Sequence, residues 1–143
     1  MSSPKFIISR QKVFEQFEKI KNVSDVVSYS SKTNSLVSSI LEEKVDCMFS
    51  IHLANELKNI KDFSKVLFLA QGWKNEDLKN LVLRGVKWFV VDNERDLKVL
   101  ENFLESFEGK LNVLLRVKLK ENTLRTEKYF VFGMSSSIIS DNI

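Results

Sequence analysis

The sequence predicts an α/β fold, the N-terminal portion of a (β/α)8 barrel, and three observations carry that expectation. Short apolar runs alternate with longer segments whose apolar residues stand three and four apart, which is a βα rhythm. Several runs are apolar on successive residues, as in parallel strands covered on both faces. No GxGxxG or GxxxxGKS/T follows an early strand, so the doubly wound alternative lacks its phosphate-binding turn. A complete barrel takes about 250 residues. The chain has 143. The expectation is therefore one partial domain over 1–143, with five or six barrel strands and the later strands absent.

The strands are expected at FII (6–8), DVVSYS (25–30), VDCMFS (45–50), KVLFLA (65–70), KWFVVD (87–92), LNVLLRVKL (111–119) and YFVFG (129–133). Helices fall between them. QKVFEQFEKI sets Val13, Phe17 and Ile20 on one face, SLVSSILEE forms the next helix, and ANELKNI a short helical turn. In NEDLKNLVLR, Leu78, Leu81 and Val82 share a face, Asn75 is the expected cap, and Gly85 can take the left-handed conformation that ends the helix. Asn93 is the expected cap of ERDLKVLENFLESF, with Leu97, Leu100 and Leu104 in line and Gly109 as its terminator. Short connections between successive βα units imply a largely parallel sheet with right-handed crossovers.

Composition narrows the function classes. With 43% hydrophobic and 29% charged residues the chain can bury a core and reads as soluble and globular. Lys and Arg outnumber Asp and Glu by 22 to 19, but they are scattered, which gives no argument for nucleic acid. One cysteine, Cys47, and one histidine, His52, provide neither a disulfide nor a soft-ligand metal cluster. A reducing, cytoplasmic setting fits this usage. The N-terminal apolar run is three residues long, and no stretch approaches the roughly 18 apolar residues of a membrane span, so neither export signal nor anchor is expected. Cys47 is expected as a small buried hydrophobe, Trp73 and Trp88 as packing residues, and SSSIIS (135–140) as a flexible terminus.

The motif YSSKTNS (29–35) places Lys32 at the end of an apolar strand, where a lysine needs a reason. It resembles the YAVKAN motif of the fold-type III pyridoxal-phosphate decarboxylases, the family of ornithine, diaminopimelate and arginine decarboxylases with an alanine-racemase-like barrel. Other segments resemble that family in the same order: SPKFIISRQKV at the start, VDCMFS with NEL (55–57), AQGWKNEDLKNLVLRGVKWFVVDNERDLKVL, then LLRVKL and FGM (132–134). The interval from Asp46 to Glu56 is a few residues longer than the family usually carries, and Val131 stands where the family often has a lysine.

The resemblance implies a TIM-like, alanine-racemase-like barrel and pyridoxal 5'-phosphate as cofactor, with Lys32 as the catalytic residue that forms the Schiff base. It implies that Asp46 and Glu56 are acidic groups near the cofactor, that Arg116 is a strand residue beneath it, and that Tyr29 helps wall the site. It further implies an amino-acid substrate and either a homo-oligomer or association with the missing barrel half. A non-catalytic or regulatory relative of the same fold, and an alanine-racemase-like cofactor-binding protein, are the alternatives.

Overall fold

The computed structural model describes residues 5–32, 34–118 and 132–141. The elements run α1 (Arg10–Lys21), β1 (Ser28–Ser30), α2 (Ser35–Glu42), β2 (Met48–Ile51), two 3-10 turns (Ala54–Asn59 and Phe63–Lys65), β3 (Val66–Phe68), α3 (Asn75–Leu83), β4 (Trp88–Val91), α4 (Glu94–Leu104), β5 (Asn112–Leu115) and α5 (Ser136–Asp141). The five strands form one sheet in the order β1-β2-β3-β4-β5, and every pairing is parallel.

That order decides the class. A doubly wound sheet reverses direction at a switch point and so carries helices on both faces. A sheet in strict chain order, with right-handed crossovers, puts every helix on the same face. The protein is thus an α/β protein with an open, five-stranded parallel sheet, consistent with part of a TIM-like barrel wall.

Strand alternation separates the two faces. The registers Tyr29↔Phe49, Phe49↔Val66, Ile51↔Phe68, Phe68↔Phe89 and Val91↔Leu115 line up one set of side chains. Phe49, Ile51, Val66, Phe68, Phe89 and Val91 in that set are buried with Leu41, Leu78, Leu81 and Leu100 of the helices. Replacing Phe49 or Phe89 by Ala would cost about 3–5 kcal/mol. The other face carries Ser28, Ser30, Met48, Ser50, Leu67, Trp88, Val90, Asn112 and Leu114, all partly or fully exposed. In a closed barrel such a face lines the interior.

Several expected elements differ. Residues 6–8 are not a strand: Phe6 and Ile7 are fully exposed, no neighbouring strand pairs with them, and Ser9 caps α1 by accepting the Lys12 N–H. Ile20 also faces solvent, so α1 uses Val13, Phe14 and Phe17 for packing. Lys74, not Asn75, stands at the N-cap of α3, and its backbone N–H goes to the Asp77 carboxylate at 3.2 Å. The helix over 94–104 stops at Leu104, five residues before Gly109. The serine cluster forms α5 instead of a flexible end. Most of the strand expected at 129–133, including Val131, lies outside the described residues, as does Leu119. Gly85 does end its helix segment at φ +103°, and Asn93 does cap α4 through the Asp96 N–H at 2.9 Å.

Beyond β5 the sheet begins a further parallel pairing. Val117 bridges Met134 in parallel, with Lys118 N to Met134 O and Met134 N to Arg116 O both at 2.8 Å. Gly133 is required there. Its φ is +97°, and a Cβ would stand 2.8 Å from the Arg116 carbonyl and 2.9 Å from the Lys118 nitrogen. No described helix is long and apolar enough to cross a membrane.

Candidate functional site

At the C-terminal ends of the strands lies a cleft of about 790 Å³, bordered by Lys32, His52, Trp73, Asp92, Arg116 and Phe132, with Leu53, Leu69 and Val90 as apolar walls. Its position follows from topology, because parallel strands deliver all their following loops to one end. The alternation on the open face continues into the site: Val90 leads to Asp92, Leu114 to Arg116, Ser50 to His52 and Ser30 to Lys32.

Lys32 is in the turn two residues past β1, not within the strand, and it is exposed. It makes no hydrogen bond or ion pair with any described residue. The turn that presents it is pinned on both sides. The Ser31 N–H extends the β1–β2 pairing to the Ser50 carbonyl at 3.2 Å, and the buried Ser31 hydroxyl accepts from Ser38 on α2 at 3.1 Å. The two serines before Lys32 are thus satisfied: Ser31 by Ser38, and Ser30 by His52 Nε2 at 3.2 Å. Ser28 and Ser50 complete this polar ladder across β1 and β2 at 2.7 Å.

His52 is held twice, by Ser30 on its ring and by its backbone N–H, which goes to Glu56 Oε2 at 3.1 Å. Glu56 is buried, not an exposed helical carboxylate, and its Oε1 has no hydrogen-bond partner. Its role is to hold the β2 turn beside the cleft.

Three expected site residues do not line the cleft: Glu56, Asp46 and Tyr29. Asp46 precedes β2 by two residues, at the opposite end of the strand from Lys32. Its carboxylate is 97% exposed and pairs with Lys65 at 3.2 Å. The strand starts at Met48, three residues later than expected. Tyr29 lies on the helix-covered face in register with Phe49, and its hydroxyl donates to the Asn34 carbonyl at 3.1 Å. Burial raises its pKa.

Arg116 is brought to the cleft, with a partner sequence reasoning did not name. Asp92, with only 7% of its side chain exposed, faces Arg116 NH1 across 3.5 Å from Oδ1, while Oδ2 accepts from the Gln71 amide. The guanidinium lies over the Phe132 ring at 4.8 Å. Asp92 follows the apolar run of β4 directly, and a carboxylate at a parallel strand's C-terminal tip is the signal that could have found it. The 70–73 loop carrying Gln71 is anchored by Asp96, which accepts from the backbone N–H groups of Gly72 and Trp73 and from the Asn93 amide. Beneath it, Trp73 packs edge-on to Phe89 with ring centres 5.7 Å apart, and its indole N–H goes to the Ala70 carbonyl.

Fold and site together define an α/β protein with a polar, cation-bearing cleft at the C-terminal rim of a parallel sheet. No protein-family model matches the chain, and no curated protein matches it. Among the described residues no group of three His, Cys, Asp or Glu could hold a metal ion.

Proposed function

We propose that the chain is the cofactor-lysine portion of a pyridoxal-phosphate-dependent amino-acid decarboxylase barrel, with Lys32 as the attachment point. The observation that supports it is the placement of Lys32: an unpaired amine at the C-terminal rim of the first strand, bordering the cleft of a sheet in barrel order. A primary amine beside apolar walls suits an aldehyde-bearing aromatic ring. The bound cofactor would supply an electron sink for the substrate carbanion. The chain's own part is to present Lys32 as a nucleophile, which it must do as the neutral amine. The Ser31–Ser38 bond holds the turn that presents it, and Leu53, Leu69 and Val90 give the same cleft apolar walls. The same reading expects a second copy or a completing barrel segment to close the open sheet face.

The placement of Asp46 and Tyr29 away from the cleft favours a second reading, a non-catalytic or regulatory protein of the same fold. An absorption spectrum of the purified protein with added pyridoxal phosphate, beside Lys32→Ala, separates the two. Borohydride reduction and mass mapping of the modified lysine complete the test. A band that requires Lys32 and is trapped there supports the enzyme, and release of carbon dioxide from an amino acid then distinguishes decarboxylase from racemase-like chemistry. Absence of any Lys32-dependent band even with the completing barrel segment supplied overturns the first reading.

A further inference from the structure

We propose that Arg116, backed by Asp92 and Gln71, is a receiving site for an oxyanion: the carboxylate or phosphate group of a small molecule in the cleft. The inference does not rest on the identity of the cofactor. An arginine paired with a carboxylate ordinarily spends its planar fork on two parallel hydrogen bonds. Here that pairing is not made. Gln71 donates to Asp92 Oδ2 and holds the carboxylate from the other side, and Oδ1 stands 3.5 Å from NH1 without a hydrogen bond. Asp92 is more than nine-tenths buried and flanks the guanidinium at 3.5 Å without taking a hydrogen bond from it.

Arg116 makes no hydrogen bond to a described residue through its side chain, although a guanidinium carries five N–H donors. Its orientation is nevertheless set. The backbone N–H of Arg116 closes on the Val91 carbonyl at 2.9 Å, the Phe132 ring supports one face of the guanidinium, and half of the side chain remains open to the cleft. A rigid, supported fork with unspent donors is the group that recognises two oxygens of a carboxylate or phosphate. The wider field agrees in sign. Lys32 and Arg84 also border the cleft, while the facing carboxylate of Asp77 is engaged by the Lys74 backbone at the start of α3.

The test is NMR titration of isotope-labelled protein with inorganic phosphate and, separately, acetate at constant ionic strength, following the backbone amide resonances of His52, Gly72 and Trp73 at the cleft, with the Arg116 side-chain Nε–H as an added probe wherever Arg116 is retained. Saturable shifts are expected, weakened at least about tenfold in Arg116→Ala and several-fold in Arg116→Lys, which keeps the charge but loses the fork. Gln71→Ala leaves Arg116 intact but frees Asp92 to close on it, and is expected to weaken binding as well. Tighter binding of phosphate assigns a phosphoryl group, tighter binding of acetate a carboxylate. Failure of both anions to saturate, or Arg116→Lys binding as tightly as the unaltered protein, overturns the proposal. Because the readout is anion binding and not formation of a Lys32 adduct, its failure is distinguishable from failure of the cofactor reading.

Discussion

The carboxylate of Asp96, in the first turn of α4, accepts the backbone N–H groups of Gly72 and Trp73 at 3.0 Å from each nitrogen, and so ties the β3–α3 loop to the neighbouring βα unit. Its buried charge is compensated by those two donors, by the Asn93 amide, and by its place at a helix N-terminus, where the dipole favours an anion. The loop in turn delivers Gln71 to Asp92, and Asp92 faces Arg116. One side of the cleft is therefore held from α4.

Removing that anchor should be costly. Asp96→Ala leaves two loop N–H groups and the Asn93 amide without their acceptor, and we expect a loss of about 3 kcal/mol, since a single hydrogen bond to a charged group contributes about 1.5–3 kcal/mol. Urea denaturation measures it. A loss below about 1 kcal/mol would mean that water replaces the carboxylate without difficulty.

Gly133 is the second sensitive point. Gly133→Ala drives a Cβ into the Arg116 carbonyl and the Lys118 nitrogen at a φ that L-residues rarely adopt. We expect about 2 kcal/mol of destabilisation together with shifted Arg116 and Phe132 resonances, because the same backbone approach places the ring under the guanidinium. Unchanged spectra would show that the Val117–Met134 bridge is dispensable.

Asp46 and Lys32 should behave oppositely. Lys32→Ala removes the cleft's unpaired amine without touching the core, so any adduct with pyridoxal phosphate disappears while the denaturation midpoint holds. Asp46→Ala breaks only a solvated pair with Lys65 at the far end of β2, and we expect neither adduct formation nor the midpoint to change. Loss of adduct in Asp46→Ala would require that end of the strand to communicate with the cleft.

Cys47 supplies a pH dependence. It is 1% exposed, and burial pushes its thiol pKa up from the ordinary value of about 8.5. The folded state thus keeps a proton that the unfolded chain releases. The associated stability is complete below the unfolded thiol pKa and declines as pH rises from there toward the folded value. Cys47→Ala should flatten that alkaline decline, seen as a smaller loss of denaturation midpoint between about pH 8 and 10. An unchanged slope would assign the decline to other groups.

Much of the architecture was legible in the chain. The βα rhythm located all five strands to within a few residues, Asn93 announced its cap, and Gly85 its stop, because each of these is a local matter of periodicity or backbone conformation. The FII run misled for a complementary reason: three apolar residues form a strand only if a neighbour pairs with them, and none does at Phe6 or Ile7. The position of Lys32 at the cleft also followed from sequence, since it stands at the C-terminal end of an apolar run, whereas Arg116 was expected inside the strand 111–119 and stands just past the end of β5.

What sequence alone determined, then, is the succession of parallel-strand units and the lysine at the tip of the first. Tertiary structure decided the remainder. The start of β2 is set by its register with β1 and β3, at Met48 and three residues later than expected, which leaves Asp46 outside the strand at the end away from the rim and His52 just past the opposite end. Asp92, which faces Arg116, and Gln71, which donates to Asp92, come from two other βα units. Which carboxylate meets which guanidinium depends on strand order and register, and those are settled by which faces of distant segments bury together, not by any short stretch of chain.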